Sequence, residues 1–283
     1  MLFQRMVIIG PGLIGGSLGL AAKKAGLVGH VVGVGHRQSS LDKAIRMGAI
    51  DSGSLAPASA LDGADAVVVC TAVGLIPEMI RQVAPGLKPG CIVSDVGSTK
   101  SGIVREAEAA LPAGVHFVGA HPIAGSERRG VEVATVDLFR GRVCVLTPGA
   151  HTDARALAKM KELWAGVGAR LFMLSPEEHD VILARTSHLP HAVASALLAT
   201  LEDKDGPFVG SGFRDTTRIG SGDPDLWADI LLSNREAALA ALKVFGGKLD
   251  ELSRALAEGD SAKVRDFLAR ARDRREKEFS DPA

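Results

Sequence analysis

The chain has 283 residues, 46% of them hydrophobic and 23% charged, and its 33 lysines and arginines are matched by 33 acidic residues. That length accommodates two domains and a large buried core, and the composition excludes an intrinsically disordered protein. The charge balance removes the basic field expected of a nucleic-acid binder or of a protein drawn to an anionic membrane, so any anion site must be built locally.

An uncharged stretch at residues 6–22 invites reading as a signal sequence or a membrane span, but it holds five glycines and Pro11. It also falls short of the roughly 20 residues a span needs. Strand, turn and helix fit better. Strands are predicted at residues 6–9, 30–35, 66–71, 91–95, 116–120, 143–147 and 170–174, with helical periodicity at 13–25, 77–83, 101–111 and 153–167. Near-continuous apolar strands interleaved with helices predict a mostly parallel sheet covered on both faces.

The texture changes after Leu174. Ser175-Pro176-Glu177-Glu178 combines an N-cap serine, a proline at the first helical position and a glutamate at the capping-box position. A long helix is expected to about Leu201, kinked at Pro190. A loop at residues 203–224 and a second long helix at 226–256 follow, and strand signals vanish. The prediction is an α/β Rossmann-type dinucleotide-binding domain at 1–174 and an all-α substrate and dimerisation domain at 175–283. Leu226, Trp227, Ile230, Leu231, Leu239, Leu242, Val244 and Phe245 make the second long helix apolar on more than one face, which predicts a homodimer. Residues 263–277 mix both charges and read as a solvated helix.

Gly10-Pro11-Gly12-Leu13-Ile14-Gly15 fits G-x-G-x-x-G between a strand and a helix, with a second strand at the spacing of one βαβ unit. Gly10 makes the turn, Gly12 admits the pyrophosphate and Gly15 lets the helix pack close, while the helix N-terminus offers N–H groups to phosphate. Thr71, at the end of the third predicted strand, joins the cofactor-binding set. At the end of the second strand an NAD-binding unit places an acidic residue; here the chain reads His36-Arg37-Gln38-Ser39-Ser40, with no carboxylate before Asp42. Arginine with neighbouring serines suits a 2′-phosphate, so NADP is the expected cofactor, with NAD as the alternative.

Four polar segments stand in apolar or glycine-rich settings: Ser94–Lys100, Gly119–Glu127, Ser187–His191 and Gly212–Arg218. A histidine can take the proton of an alcohol as hydride leaves, and two arginines in a buried loop suit carboxylates. No carboxylate or cysteine stands at metal-ligand spacing from His121, His188 and His191, so no metal is expected. Cys70, Cys91 and Cys144 lie in apolar runs without CxxC spacing and read as reduced core thiols of a cytoplasmic protein. The residues alone indicate a dehydrogenase of an anionic alcohol.

Five segments, GPGLIGGSLGLA, SDVGSTK, GAHPIAGSERRGVE, SHLPHAVASAL and SGFRDTTRIGSGDP, resemble the prephenate/arogenate dehydrogenase family, in the family's order across nearly the whole chain. The resemblance implies oxidative decarboxylation of prephenate, with arogenate as a further substrate, in tyrosine biosynthesis. It implies that His121 deprotonates the ring hydroxyl with Ser98 as its partner, and that Arg218 binds a substrate carboxylate. Arg214, His188 and His191 would line the pocket, with Glu127 near its entrance and Trp227 helping to close it. An arogenate-specific NADP enzyme and a β-hydroxyacid dehydrogenase-like oxidoreductase are the alternatives, although the latter's helical lysine has no counterpart before Lys204. The chain extent implies a monofunctional enzyme without mutase or regulatory domain.

Overall fold

The computed structural model describes residues 1–125 and 128–279. Up to residue 173 the chain runs β1 (Phe3–Ile9), α1 (Leu13–Lys24), β2 (Val28–Val34), α2 (Gln38–Arg46), β3 (Ser52–Ser54), α3 (Pro57–Ala60), β4 (Ala66–Val69) and α4 (Ile76–Val83). It continues with β5 (Ile92–Asp95), α5 (Ser101–Ala110), β6 (His116–Pro122), β7 (Val143–Thr147), α6 (Ala154–Gly166) and β8 (Arg170–Met173). The strands form one sheet of order β3-β2-β1-β4-β5-β6-β7-β8, parallel throughout except where β7 runs against β6. All seven predicted strands are present. β3 was not foreseen, because Ser52-Gly53-Ser54 has no apolar pattern and pairs only at the sheet edge.

Strand order reverses between β1 and β4, the switch point where parallel sheets take ligands beyond their carboxyl ends. One sheet face packs Leu18, Phe139, Met160 and Trp164; the other packs Ile76, Ile80, Val104 and Ile230. This two-sided burial explains strands such as Ala66–Val69 that are apolar without alternation.

Later elements are all helical: α7 (Pro176–Leu183), α8 (Leu189–Leu198), α9 (Ser211–Thr217), α10 (Pro224–Ser233), α11 (Arg235–Ala257) and α12 (Ser261–Phe279). The capping box forms, with the Glu178 N–H donating to Ser175 Oγ and the Ser175 N–H to the Glu178 carboxylate. Three expectations need correction. The first long helix is interrupted by a π-helical turn, Ala184–His188, just ahead of Pro190. The expected loop at 203–224 is largely short helical turns, including α9. The second long helix breaks at Asn234, whose backbone leaves the helical region and whose amide is drawn inward.

Strands end at Met173, but the compact units divide after Arg235, into 1–235 and 236–283. Residue 175 thus marks the change from strand-bearing to helical chain, whereas packing divides the molecule later. In the first unit, α10 lies on the α/β framework: Ile230 is in the core and the Gly74 N–H donates to Asp229 at 2.8 Å. In the second, Arg270 pairs with Glu251 across the two helices, and α12 buries no residue. Among the described residues no helix is long and apolar enough to cross a membrane.

Candidate active site

The turn from β1 into α1 has the mechanics its glycines suggested. Gly10 has φ +85°, and a Cβ there would meet the Cys70 carbonyl oxygen at 2.8 Å, beside Thr71. A Cβ on Gly15 would lie 2.5 Å from the Gly10 carbonyl oxygen and 2.8 Å from Ile8, so helix and strand touch there. Above Gly12 a Cβ would meet nothing within 4 Å. No side chain caps α1, whose first N–H groups, around Leu13 and Ile14, have no intrahelical partner. An open surface over unpaired N–H groups fits a pyrophosphate. At the end of β2, His36, Arg37, Gln38 and Ser39 are all exposed, and Arg37 is the N-cap residue of α2. Asp42 accepts from Gln38 at 2.8 Å.

At the same carboxyl edge, His121 lies near the end of β6 and is 8% exposed. Its Nδ1 is 2.8 Å from His179 Nε2, and His179 Nδ1 is 2.8 Å from Asp180 Oδ1. Asp180 also accepts the Lys100 N–H at 2.7 Å and the Ser101 N–H at 2.9 Å. These two amides end the loop from β5 that carries Ser98, which is half-buried. Beneath the loop the fully buried Lys100 ammonium pairs with the Asp95 carboxylate, which also accepts from the Gly97 and Ala120 N–H groups.

The helical residues join this cluster from the other side. Asn234 Nδ2 donates 2.8 Å to the Asp180 carbonyl and lies 3.2 Å from His188 Nδ1. His188 and His191 are buried. Trp227 stacks on His191 at 3.6 Å between ring centroids and stands nearly perpendicular to His188, with 6.5 Å between centroids. The turn after Arg218 rests on the same pair: a Cβ on Gly222 would lie 2.5 Å from Trp227 Nε1 and 2.9 Å from His191. Contrary to the expectation of a buried loop, Arg214 and Arg218 are both exposed, and it is Thr217 that this stretch buries. Glu127 lies outside the described residues.

Residues 18–173 match the nucleotide-binding domain of prephenate dehydrogenase, and residues 175–270 match its dimerisation domain. The chain is 34% identical to prephenate dehydrogenase of Bacillus subtilis over 96% of its own length and 75% of the relative's. The chain belongs to the prephenate/arogenate dehydrogenase family. Among solved structures, prephenate dehydrogenase from A. aeolicus in complex with hydroxyphenyl propionate and NAD+ superposes with TM-score 0.90 at 33% identity, covering 97% of this chain and 98% of that one. Synechocystis arogenate dehydrogenase gives 0.86 at 30% identity, covering 98% and 100%.

For a dehydrogenase of this family the electrostatics of the cluster matter as much as its shape. Burial, reinforced by His179, Lys100 and His188, holds His121 well below the usual imidazole range, so it is neutral and able to accept a proton. Burial likewise takes His188 down to about 4 and lowers His191. Burial works to raise the Asp180 carboxyl, but hydrogen bonds from His179, Ser101 and Lys100 outweigh it and keep the group ionised. Burial pushes the Cys91 thiol up to about 12 and raises Cys70 and Cys144 too, so none is a nucleophile. Among the described residues no three or more His, Cys, Asp or Glu side chains stand in a metal-binding arrangement.

His179, Asp180 and Asn234 escaped the sequence reading. A signal was present: Pro176, His179, Asp180 and Leu183 are the buried residues of α7, a stripe at helical spacing with two polar members.

Proposed function

We propose that the chain catalyses oxidative decarboxylation of prephenate in tyrosine biosynthesis, with His121 as the general base. The observation that carries this reading is a buried, neutral imidazole at the carboxyl edge of the sheet that also carries the glycine turn. When bound, the dinucleotide accepts the hydride leaving C4 of the substrate ring. His121 receives the proton of the C4 hydroxyl, and Ser98, in the adjoining loop, hydrogen-bonds the same oxygen. Loss of CO2 from C1 makes the ring aromatic, which drives the reaction, so the protein has only to align the ring and hold its charges. Arg218 and Arg214 take the carboxylates; His188 and His191 line the pocket, which Trp227 helps to close.

Gly10, Gly12, Leu13, Ile14, Gly15 and Thr71 hold the dinucleotide. NADP is the preferred form: exposed Arg37, followed by Ser39 and Ser40, meets the 2′-phosphate, and the nearest carboxylate, Asp42, is engaged by Gln38. Prephenate is favoured over arogenate because His191 can hydrogen-bond a keto acid. The chain works as a cytoplasmic homodimer. Leu239, Val244 and Leu256 are each more than half exposed in the single chain, apolar area that a partner would cover.

Prephenate and arogenate, each with NAD+ and with NADP+, are compared by absorbance of the reduced cofactor. His121→Ala should lower kcat by about 10²-fold or more. Arg218→Ala should raise KM for prephenate with cofactor affinity unchanged, and Arg37→Ala should erase the preference for NADP+. Wild-type kinetics in the first two variants would contradict the assignment.

A further inference from the structure

With His179 neutral, hydrogen-bond bookkeeping around His121 leaves a single consistent assignment of protons. An ionised carboxylate only accepts, so the close contact between Asp180 Oδ1 and His179 Nδ1 requires the proton on that nitrogen. A neutral imidazole protonated at Nδ1 carries its lone pair on Nε2, so His179 Nε2 accepts. Its contact with His121 Nδ1 then requires the proton on His121 Nδ1. By elimination the lone pair of His121 is on Nε2, the nitrogen not engaged by the relay. Asp180 is itself held by the Lys100 and Ser101 N–H groups, so the far end of the relay is fixed to the backbone of the Ser98 loop.

We propose that His179 and Asp180 are positioning residues that fix the reactive tautomer of His121 and the direction of its lone pair. This rests on the reading of His121 as the base and adds to it the reason that base faces the substrate with its unprotonated nitrogen. When the substrate O–H bond breaks, the proton goes to His121 Nε2. The imidazolium so formed still donates through Nδ1 to His179, and its charge is balanced through that ring by the Asp180 carboxylate. Lys100 and His188 also face His121, but an ammonium already paired with Asp95 and a neutral imidazole offer no compensating negative charge. Without the relay both tautomers are open to His121. In one of them an N–H points at the hydroxyl it should deprotonate.

The test pairs spectroscopy with kinetics. In wild-type protein labelled with 15N-histidine, nitrogen shifts and two-bond couplings report the tautomer of His121, identified by the signal missing from His121→Ala. The expected form carries the proton on Nδ1; a proton on Nε2 overturns the proposal, whatever the variants do. Kinetically, His179→Leu and Asp180→Asn should each lower kcat by about 10²-fold with KM little changed. His179→Gln, whose carbonyl oxygen can still accept from His121, should recover most of that loss. A wild-type kcat in His179→Leu, with His121→Ala impaired, overturns the relay and leaves the base in place. A wild-type kcat in His121→Ala overturns the base itself.

Discussion

Burying His188 as a neutral ring ties the stability of the fold to pH. Its usual value of 6.5 falls to about 4 in the folded chain, because desolvation outweighs the attraction of Asp180. Above the unfolded value the ring is neutral in both states and no penalty arises. As pH falls below 6.5 the unfolded chain takes up the proton first, so stability drops, and it stops dropping near the folded value of about 4. At pH 5 the proton populations of the two states differ by about 1.5 logarithmic units, or about 2 kcal/mol. That is a large part of the roughly 5–15 kcal/mol by which domains are stable. His121 is shifted the same way and adds to the loss. Urea unfolding followed by tryptophan fluorescence at about pH 7.5 and pH 5 measures it in wild type and in His188→Gln, whose amide can still meet Asn234. Wild type should lose about 2 kcal/mol more than the variant over that interval. Equal losses would refute the assignment of a neutral buried ring at this position.

Two further perturbations separate local roles. Gly12→Ala and Gly15→Ala should diverge: the first adds a methyl group to open space and should leave Tm unchanged while weakening cofactor binding, as titration calorimetry would show. The second drives a methyl group into the Gly10 carbonyl oxygen and Ile8, and should lower Tm as well. Lys100→Met strands the Asp95 carboxylate without its cation and should cost about 3 kcal/mol or more in urea unfolding, and adding Asp95→Asn should restore part of it. A neutral outcome for Lys100→Met would contradict the buried pair.

Elements whose pattern follows from their own neighbourhood could be read from the chain directly. Apolar strands between helices, the glycine turn and the Ser175 capping box each involve residues a few positions apart. The misreadings occur where a distant partner decides. Asn234 sits inside a helical pattern, and the helix breaks there because its amide is held by Asp180 and His188, each more than forty positions away. Arg214 and Arg218 were expected in a buried loop on composition, but the chain folds there into short helical turns that leave both exposed and bury Thr217.

The candidate site divides along the same line. Histidines in glycine-rich or proline-marked segments attract notice, so His121, His188 and His191 could be picked out one by one. His179 stands in an ordinary amphipathic helix, 58 positions from His121, and acquires its significance only when β6 and α7 meet. A reacting group can be guessed from its chemistry, whereas the groups that orient it are chosen by the fold. A buried polar pair on the apolar stripe of a helix has to find partners, because leaving it unpaired costs more than most single contacts contribute. Along α7 that requirement singles out His179 and Asp180, and the strand end that satisfies them carries His121.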